Sequence, residues 1–372
     1  MKLKKIITSV LAAAMCAVSL TACSNGGESS AASSENTESA ALTETDSSKE
    51  SEAESTIVST AESEAESGTE TDLSEEIKVV ALKGPTAMGL VKLMSDDENE
   101  GLSYDFQIVG SVDEISPMAA QGTADIMCVP ANLAAVLYNK TEGKVKAAAV
   151  NTLGVLYICE NGNTIKTVSD LKGKTIYSSG KGATPEYALN FILKSNGVDP
   201  ENDVTIEWKS EHTECLSALL ADENSVAMLP QPFVTTAQTK NEGVNVVLDL
   251  NNEWDKLGVD SSLITGATIV RTEFAEQHPE ELNEFLTRYL NSVDYVNNNI
   301  DDAADLIEKY DIVPAAVAKK AIPNCNIVCI TGDEMKTKLS GYLQVLADND
   351  IKAVGGTLPD DGFYYIYETA VG

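Results

Sequence analysis

Two stretches about a hundred residues apart carry the same succession of signals, and no other feature limits the possible folds as strongly. The first is the apolar, β-favouring run Ile77–Leu82, followed by Lys83-Gly84-Pro85-Thr86 and a helical pattern with Ala87, Leu90, Val91 and Met94 on one face. The second is Thr175-Ile176-Tyr177, then Lys181-Gly182-Ala183-Thr184, then a helical stripe of Ala188, Phe191 and Ile192 that Asn196-Gly197 can stop. A buried-type strand ends at Pro130, 47 residues after Lys83, and another ends at Pro230, 49 residues after Lys181. Lys140-Thr141-Glu142-Gly143 and Lys240-Asn241-Glu242-Gly243 follow at the same offset. Two arrays in step predict two similar α/β lobes, in which strands followed by helices make mainly parallel sheets.

The second loop is the more informative. Thr184 supplies an oxygen suited to an N-cap, Pro185 fits the first helical position, and Glu186 puts a negative charge where the helix dipole favours one. A helix start of this kind suits an anion, and Lys181 adds a formal charge. Many α/β proteins have such turns and bind nothing there. Nor is it a P-loop: Gly173-Lys174-Thr175 precedes the strand, and Val168 stands where the motif needs its first glycine.

At the start, Lys2, Lys4 and Lys5 precede an apolar run over 6–20 that is short for a membrane span and reads as a signal peptide. Leu20-Thr21-Ala22-Cys23 resembles the bacterial lipoprotein box, which implies cleavage before Cys23, lipid on its thiol and an extracytoplasmic, membrane-anchored protein. Residues 24–74 are mostly Ser, Glu, Thr and Ala, too polar to repay the entropy of folding. They read as a tether with a reach of about 40 Å.

Fifteen acidic residues from Glu28 to Glu76 face only Lys49, so of the formal charge of −32, −21 remains on residues 77–372. An acidic body argues against nucleic acid or an anionic bilayer surface as a partner. Of Cys128, Cys159, Cys215, Cys325 and Cys329, four stand in apolar or mixed runs; Cys325 and Cys329 are spaced to close a small disulfide, and buried free thiols are the expected state.

The folded part, 75–372, exceeds one ordinary core. A further apolar strand over 263–270 precedes helices over 280–296, 302–310, 315–321 and 332–347, which read as a cover returning to the first lobe. The chain then crosses between lobes twice, near 150–157 and 263–270, and two crossing strands make a hinge. The expected division is a leader 1–22, a tether 23–74, lobe I from 75–153 plus 267–372, and lobe II from 154–266.

Gly122-Thr123-Ala124-Asp125-Ile126, Asp170-Leu171-Lys172-Gly173-Lys174, Met228-Leu229-Pro230-Gln231-Pro232, Val270-Arg271-Thr272-Glu273-Phe274 and His278-Pro279-Glu280 carry a resemblance. Together they resemble the type II periplasmic substrate-binding proteins of ABC importers, in the group of nitrate-, sulfonate-, taurine- and thiamine-precursor binders. The resemblance implies two Rossmann-like lobes joined by a two-strand hinge, with a ligand in the cleft, and delivery to a permease and its ATPase.

By position, its cleft residues are Lys83, Gly84 and Thr86; Ser111; Pro130 and Asn132; Thr152; Ser179, Gly180, Lys181, Gly182, Ala183 and Thr184; and Gln231 and Pro232. The chain has only two arginines, Arg271 and Arg288, both in packing or surface contexts. His212 and His278, the only histidines, lack metal spacing and read as surface or capping residues. No nucleophile elbow or paired zinc motif appears, so the chain reads as a monomeric binder without a cofactor, not an enzyme. The solute is either a small organic anion, which the Lys-Gly loops favour, or a heteroaromatic that Tyr104, Tyr138, Tyr157, Tyr177 or Tyr187 would stack.

Overall fold

The computed structural model describes residues 76–259 and 261–366; the expected leader, Cys23 and the acidic tether lie outside them. From its start the chain alternates strand and helix: β1 (Ile77–Leu82), α1 (Pro85–Met88), α2 (Val91–Glu100), β2 (Tyr104–Val109), α3 (Val112–Gln121), β3 (Ile126–Pro130), α4 (Ala131–Lys140) and β4 (Val145–Leu153). It then crosses at Gly154 and Val155. The second lobe follows as β5 (Leu156–Asn161), β6 (Thr175–Ser179), α5 (Thr184–Ser195), β7 (Thr205–Lys209), α6 (His212–Ala221), β8 (Val226–Pro230), α7 (Phe233–Lys240), β9 (Val244–Asp249) and α8 (Leu250–Asp255). Finally β10 (Ile264–Arg271) returns to the first sheet, followed by α9 (Thr272–Gln277), α10 (Pro279–Asn298), α11 (Ile300–Lys309), α12 (Ala315–Ala321), β11 (Ile327–Ile330) and α13 (Gly332–Asn349).

Strand order is β11-β4-β10-β3-β1-β2 in one sheet and β7-β6-β8-β5-β9 in the other. The blocks β2-β1-β3 and β7-β6-β8 are parallel and equivalent, which is the repeat legible in the two Lys-Gly arrays. The remaining pairings are antiparallel, so each sheet is mixed where a mainly parallel one was expected. The reason lies in the crossings. A parallel neighbour needs a crossover connection within one lobe, whereas β4 runs out toward the second lobe and β10 runs back from it, so the two meet head to tail.

The equivalence extends to helix starts. Glu114 Oε1 accepts from the backbone N–H groups of Gly110 and Ser111, both at 3.1 Å, and Glu214 Oε2 accepts from those of Ser210 and Glu211 at 2.8 and 3.4 Å. In both lobes a glutamate three residues into the helix satisfies donors that the helix leaves unpaired. Thr184 departs from expectation: Ala183 is the N-cap, Thr184 and Pro185 are the first two helical residues, and no side chain caps the helix. The Thr184 hydroxyl is committed elsewhere, across the lobe boundary.

In α10, Leu282, Phe285, Leu286, Tyr289, Val293 and Val296 are buried against Val79, Ala81 and Ile126 of the first sheet, so the expected helical cover is present. The lobes share a core on one flank, where the Trp254 ring lies 4.7 Å from Phe191 and 5.7 Å from Tyr342 of α13. Burying one such side chain contributes about 2–3 kcal/mol. The five cysteines of the described body are unpaired thiols.

Candidate functional site

Between the lobes, where β1, β3 and β8 end, lies a cavity of about 100 Å³. Loops beyond the carboxyl ends of parallel strands are where α/β folds place ligands. The first lobe contributes Leu82, Lys83, Gly84, Pro85, Thr86, Pro130, Thr152 and Thr265; the second contributes Leu156, Thr184, Pro185, His212, Pro230, Gln231 and Phe233, and Val155 of the crossing completes the wall. Gly84 has φ 131°, a conformation that a residue with a Cβ rarely adopts, which lets the chain turn at the end of β1.

Of the fifteen expected cleft residues, the cavity brings together Lys83, Gly84, Thr86, Pro130, Thr152, Thr184 and Gln231. The other eight have different places. Ser111 caps α3 by accepting from Asp113 N–H at 3.1 Å. Asn132 stands behind the wall, with its Nδ2 donating to Ala353 O at 3.1 Å and its Oδ1 accepting from Thr184 Oγ1 at 3.2 Å. Ser179 Oγ lies 2.5 Å from His212 Nδ1, one layer from the cavity. Gly180, Gly182 and Ala183 form the turn into α5, in which Gly182 N–H donates to Glu186 at 2.5 Å. Pro232 is the N-cap of α7.

Lys181 is the clearest departure. It lines a separate polar groove of about 580 Å³ on the outer face, with Glu186, Lys194, Asn349 and Asp350. The flanking Gly180 and Gly182 both have positive φ, so this loop turns differently from the one bearing Lys83. Lys83 is the one cation among the described residues of the cavity wall, and it ion-pairs with the exposed Asp311 at 3.4 Å.

None of the five tyrosines reaches the cavity. Tyr104 packs on Phe285 with centroids 5.9 Å apart. Tyr138 donates to Asp360 at 2.5 Å, and Tyr157 donates to Asn324 O at 3.3 Å. Lys209 lies over the Tyr177 ring at 5.2 Å, and Tyr187 lines the outer groove.

The rings in the cavity are Phe233 and His212, with centroids 5.1 Å apart. His212 was expected at the surface or as a cap; it instead opens α6 in the cleft, and burial pushes its pKa down to about 4, leaving a neutral imidazole at pH 7. The signal that could have found it is the helix-start repeat: His212 follows Glu211 as Val112 follows Ser111. Both arginines are structural, Arg271 pairing with Asp125 at 2.7 Å and Arg288 with Glu284 at 2.8 Å. Among the described residues no group of three or more His, Cys, Asp or Glu is placed to hold a metal ion.

With two lobes closing on one small cavity, the molecule has the form of a solute-binding protein. A family model for the phosphonate-type periplasmic substrate-binding protein of ABC transporters matches residues 90–320, more than half of the chain, and the chain belongs to that family. A binding protein of Brucella abortus (strain 2308) is 23% identical over 220 residues, which is 57% of this chain and 65% of the relative's own length. Among solved structures, an ABC transporter protein from Parabacteroides distasonis superposes with a TM-score of 0.66 at 24% identity, covering 79% of this chain and 99% of that one. The periplasmic aliphatic sulphonate-binding protein SsuA of Escherichia coli gives 0.64 at 15% identity, covering 80% and 94%. These structures share the fold.

Proposed function

We propose that the chain captures a small organic oxyanion in the interlobe cavity and delivers it to an ABC permease. The observation that carries this reading is the position of Lys83, the single cation on the described wall, at the end of β1 in a cavity lined by residues of both lobes. A solute touching both lobes stabilises the closed form by its differential contacts, and closure is what a permease would recognise. The sulphonate bound by the E. coli neighbour and the phosphonate named for the family are both oxyanions of this class. Lipid at Cys23 would hold the protein beside its transporter; loss of a metabolically incorporated lipid label in Cys23→Ser tests that part. Titration calorimetry of the full chain with ethanesulfonate and methylphosphonate tests the ligand class, and saturable heat that disappears in Lys83→Ala is the expected result.

A second reading rests on the paired rings of Phe233 and His212, which offer a stacking face to a neutral heteroaromatic. Binding of an aminopyrimidine that Phe233→Ala abolishes and Lys83→Ala leaves intact would replace the first reading with this one.

A further inference from the structure

The chain has two tryptophans, and they are placed in opposite ways. Trp254 is fully buried, packs on Phe191 and Tyr342, and donates its indole N–H to Ser261 O at 3.0 Å. Trp208 in β7 is half-buried and belongs to none of the hydrophobic clusters of the body. Among the described residues no ring lies beside it, and its indole N–H has no acceptor. It lines the polar groove of about 580 Å³ that also holds Lys181. An indole with both its face and its N–H unused is suited to a ligand that is apolar on one side and polar at its rim.

We infer that this groove is a second binding site, separate from the interlobe cavity, and that it takes a neutral saccharide. Tyr187, Asn190 and Lys194 stand three and four residues apart on one stripe of α5, and Ile206 and Trp208 share one face of β7. The groove therefore lies over the face of the sheet, and its size falls among the sites of about 300–1,000 Å³ that enclose organic ligands. Its polar groups are unspent. The side chains of Lys181, Tyr187, Lys194 and Glu201 have no hydrogen bond or ion pair among the described residues. Asn190 Oδ1 is shut off from solvent with no donor, a costly arrangement that a ligand hydroxyl would relieve once the amide turns into the groove.

Charge and polarity select the class. An anion in the groove would meet the carboxylates of Glu186, Glu201 and Asp350, and a cation would meet Lys181 and Lys194. A sugar carries no charge, each of its hydroxyls both donates and accepts, and the C–H face of its ring can lie flat on an indole. It can thus serve ammonium, carboxylate and amide groups together. A peptide strand would instead add to the free edge of β7 in the plane of the sheet.

The test is calorimetry of the full chain with maltotriose, cellotriose and N-acetylated chitotriose. At least one is expected to give saturable heat, with binding at least tenfold weaker in Trp208→Ala and at least threefold weaker in Glu201→Ala, an exposed position where folding is not at stake. Thermal melting checks both variants, and ethanesulfonate titrated into them should behave as in the wild type. No saturable heat from any of the three sugars overturns the inference, and so does sugar binding that both variants leave intact. Binding of benzenesulfonate or spermidine that Trp208→Ala abolishes, without sugar binding, overturns it in favour of a charged ligand; the same result with the peptide Thr-Val-Thr-Val-Thr overturns it in favour of strand addition. Each of these outcomes leaves the oxyanion reading of the interlobe cavity standing.

Discussion

Thr184 at the start of α5 donates to Asn132 in α4 at 3.2 Å, a hydrogen bond that ties one lobe to the other behind the cavity wall. Both residues are about 1% exposed, and Asn132 also serves the carbonyls of Ala353 in the first lobe and Gly182 in the second. Asn132→Ala takes the hydrogen-bond partner from buried Thr184 and Ala353 and is expected to destabilise the protein by about 2 kcal/mol, read from urea unfolding. A loss below half a kcal/mol would show that this contact does not hold the two lobes together.

His212 supplies a pH dependence with a definite sign. Its unfolded imidazole titrates near 6.5 and the folded one at about 4, because burial disfavours the charged ring. Between those values the unfolded chain binds the extra proton, so the contribution is complete above pH 6.5 and is lost as pH falls toward 4. Its size is up to about 3 kcal/mol. Denaturation curves from pH 7 to pH 4.5 are expected to show this slope in the wild type and a shallower one in His212→Gln.

The two repeat lysines separate into different roles. Lys83→Ala removes the cation of the described cavity wall and is expected to weaken oxyanion binding at least tenfold by calorimetry. Its ion pair with the exposed Asp311 contributes under about 1 kcal/mol, so melting should hardly move. Lys181→Ala, in the outer groove, is expected to leave affinity unchanged. Equal losses in both variants would contradict this assignment.

Gly266 in β10 has no room for a side chain: a Cβ there would meet Asn151 Oδ1 at 2.2 Å, Thr86 Cγ2 at 2.8 Å and Thr152 Cβ at 3.0 Å. Gly266→Ala is expected to cost roughly 1–3 kcal/mol of stability by overpacking. Because Thr86 and Thr152 line the cavity, solute affinity should fall with it. An unchanged melting temperature would show that β10 shifts freely.

The pairing of Lys83-Gly84 with Lys181-Gly182, and of Pro130 with Pro230, made the two-lobe plan legible because strand ends and helix starts are written in local residue choice. The same locality placed Gly84, Thr86, Thr152 and Gln231 at the ends of elements that face the cleft. Sequence by itself thus determined the repeat, the strand-loop-helix order and the acidic balance of the chain. Tertiary structure alone decided that Lys83 lines the interlobe cavity while Lys181 lines a separate groove, that β4 and β10 pair antiparallel, and that His212 lies half-buried beside Phe233. Each of those is a relation between residues far apart in the chain that no local pattern encodes.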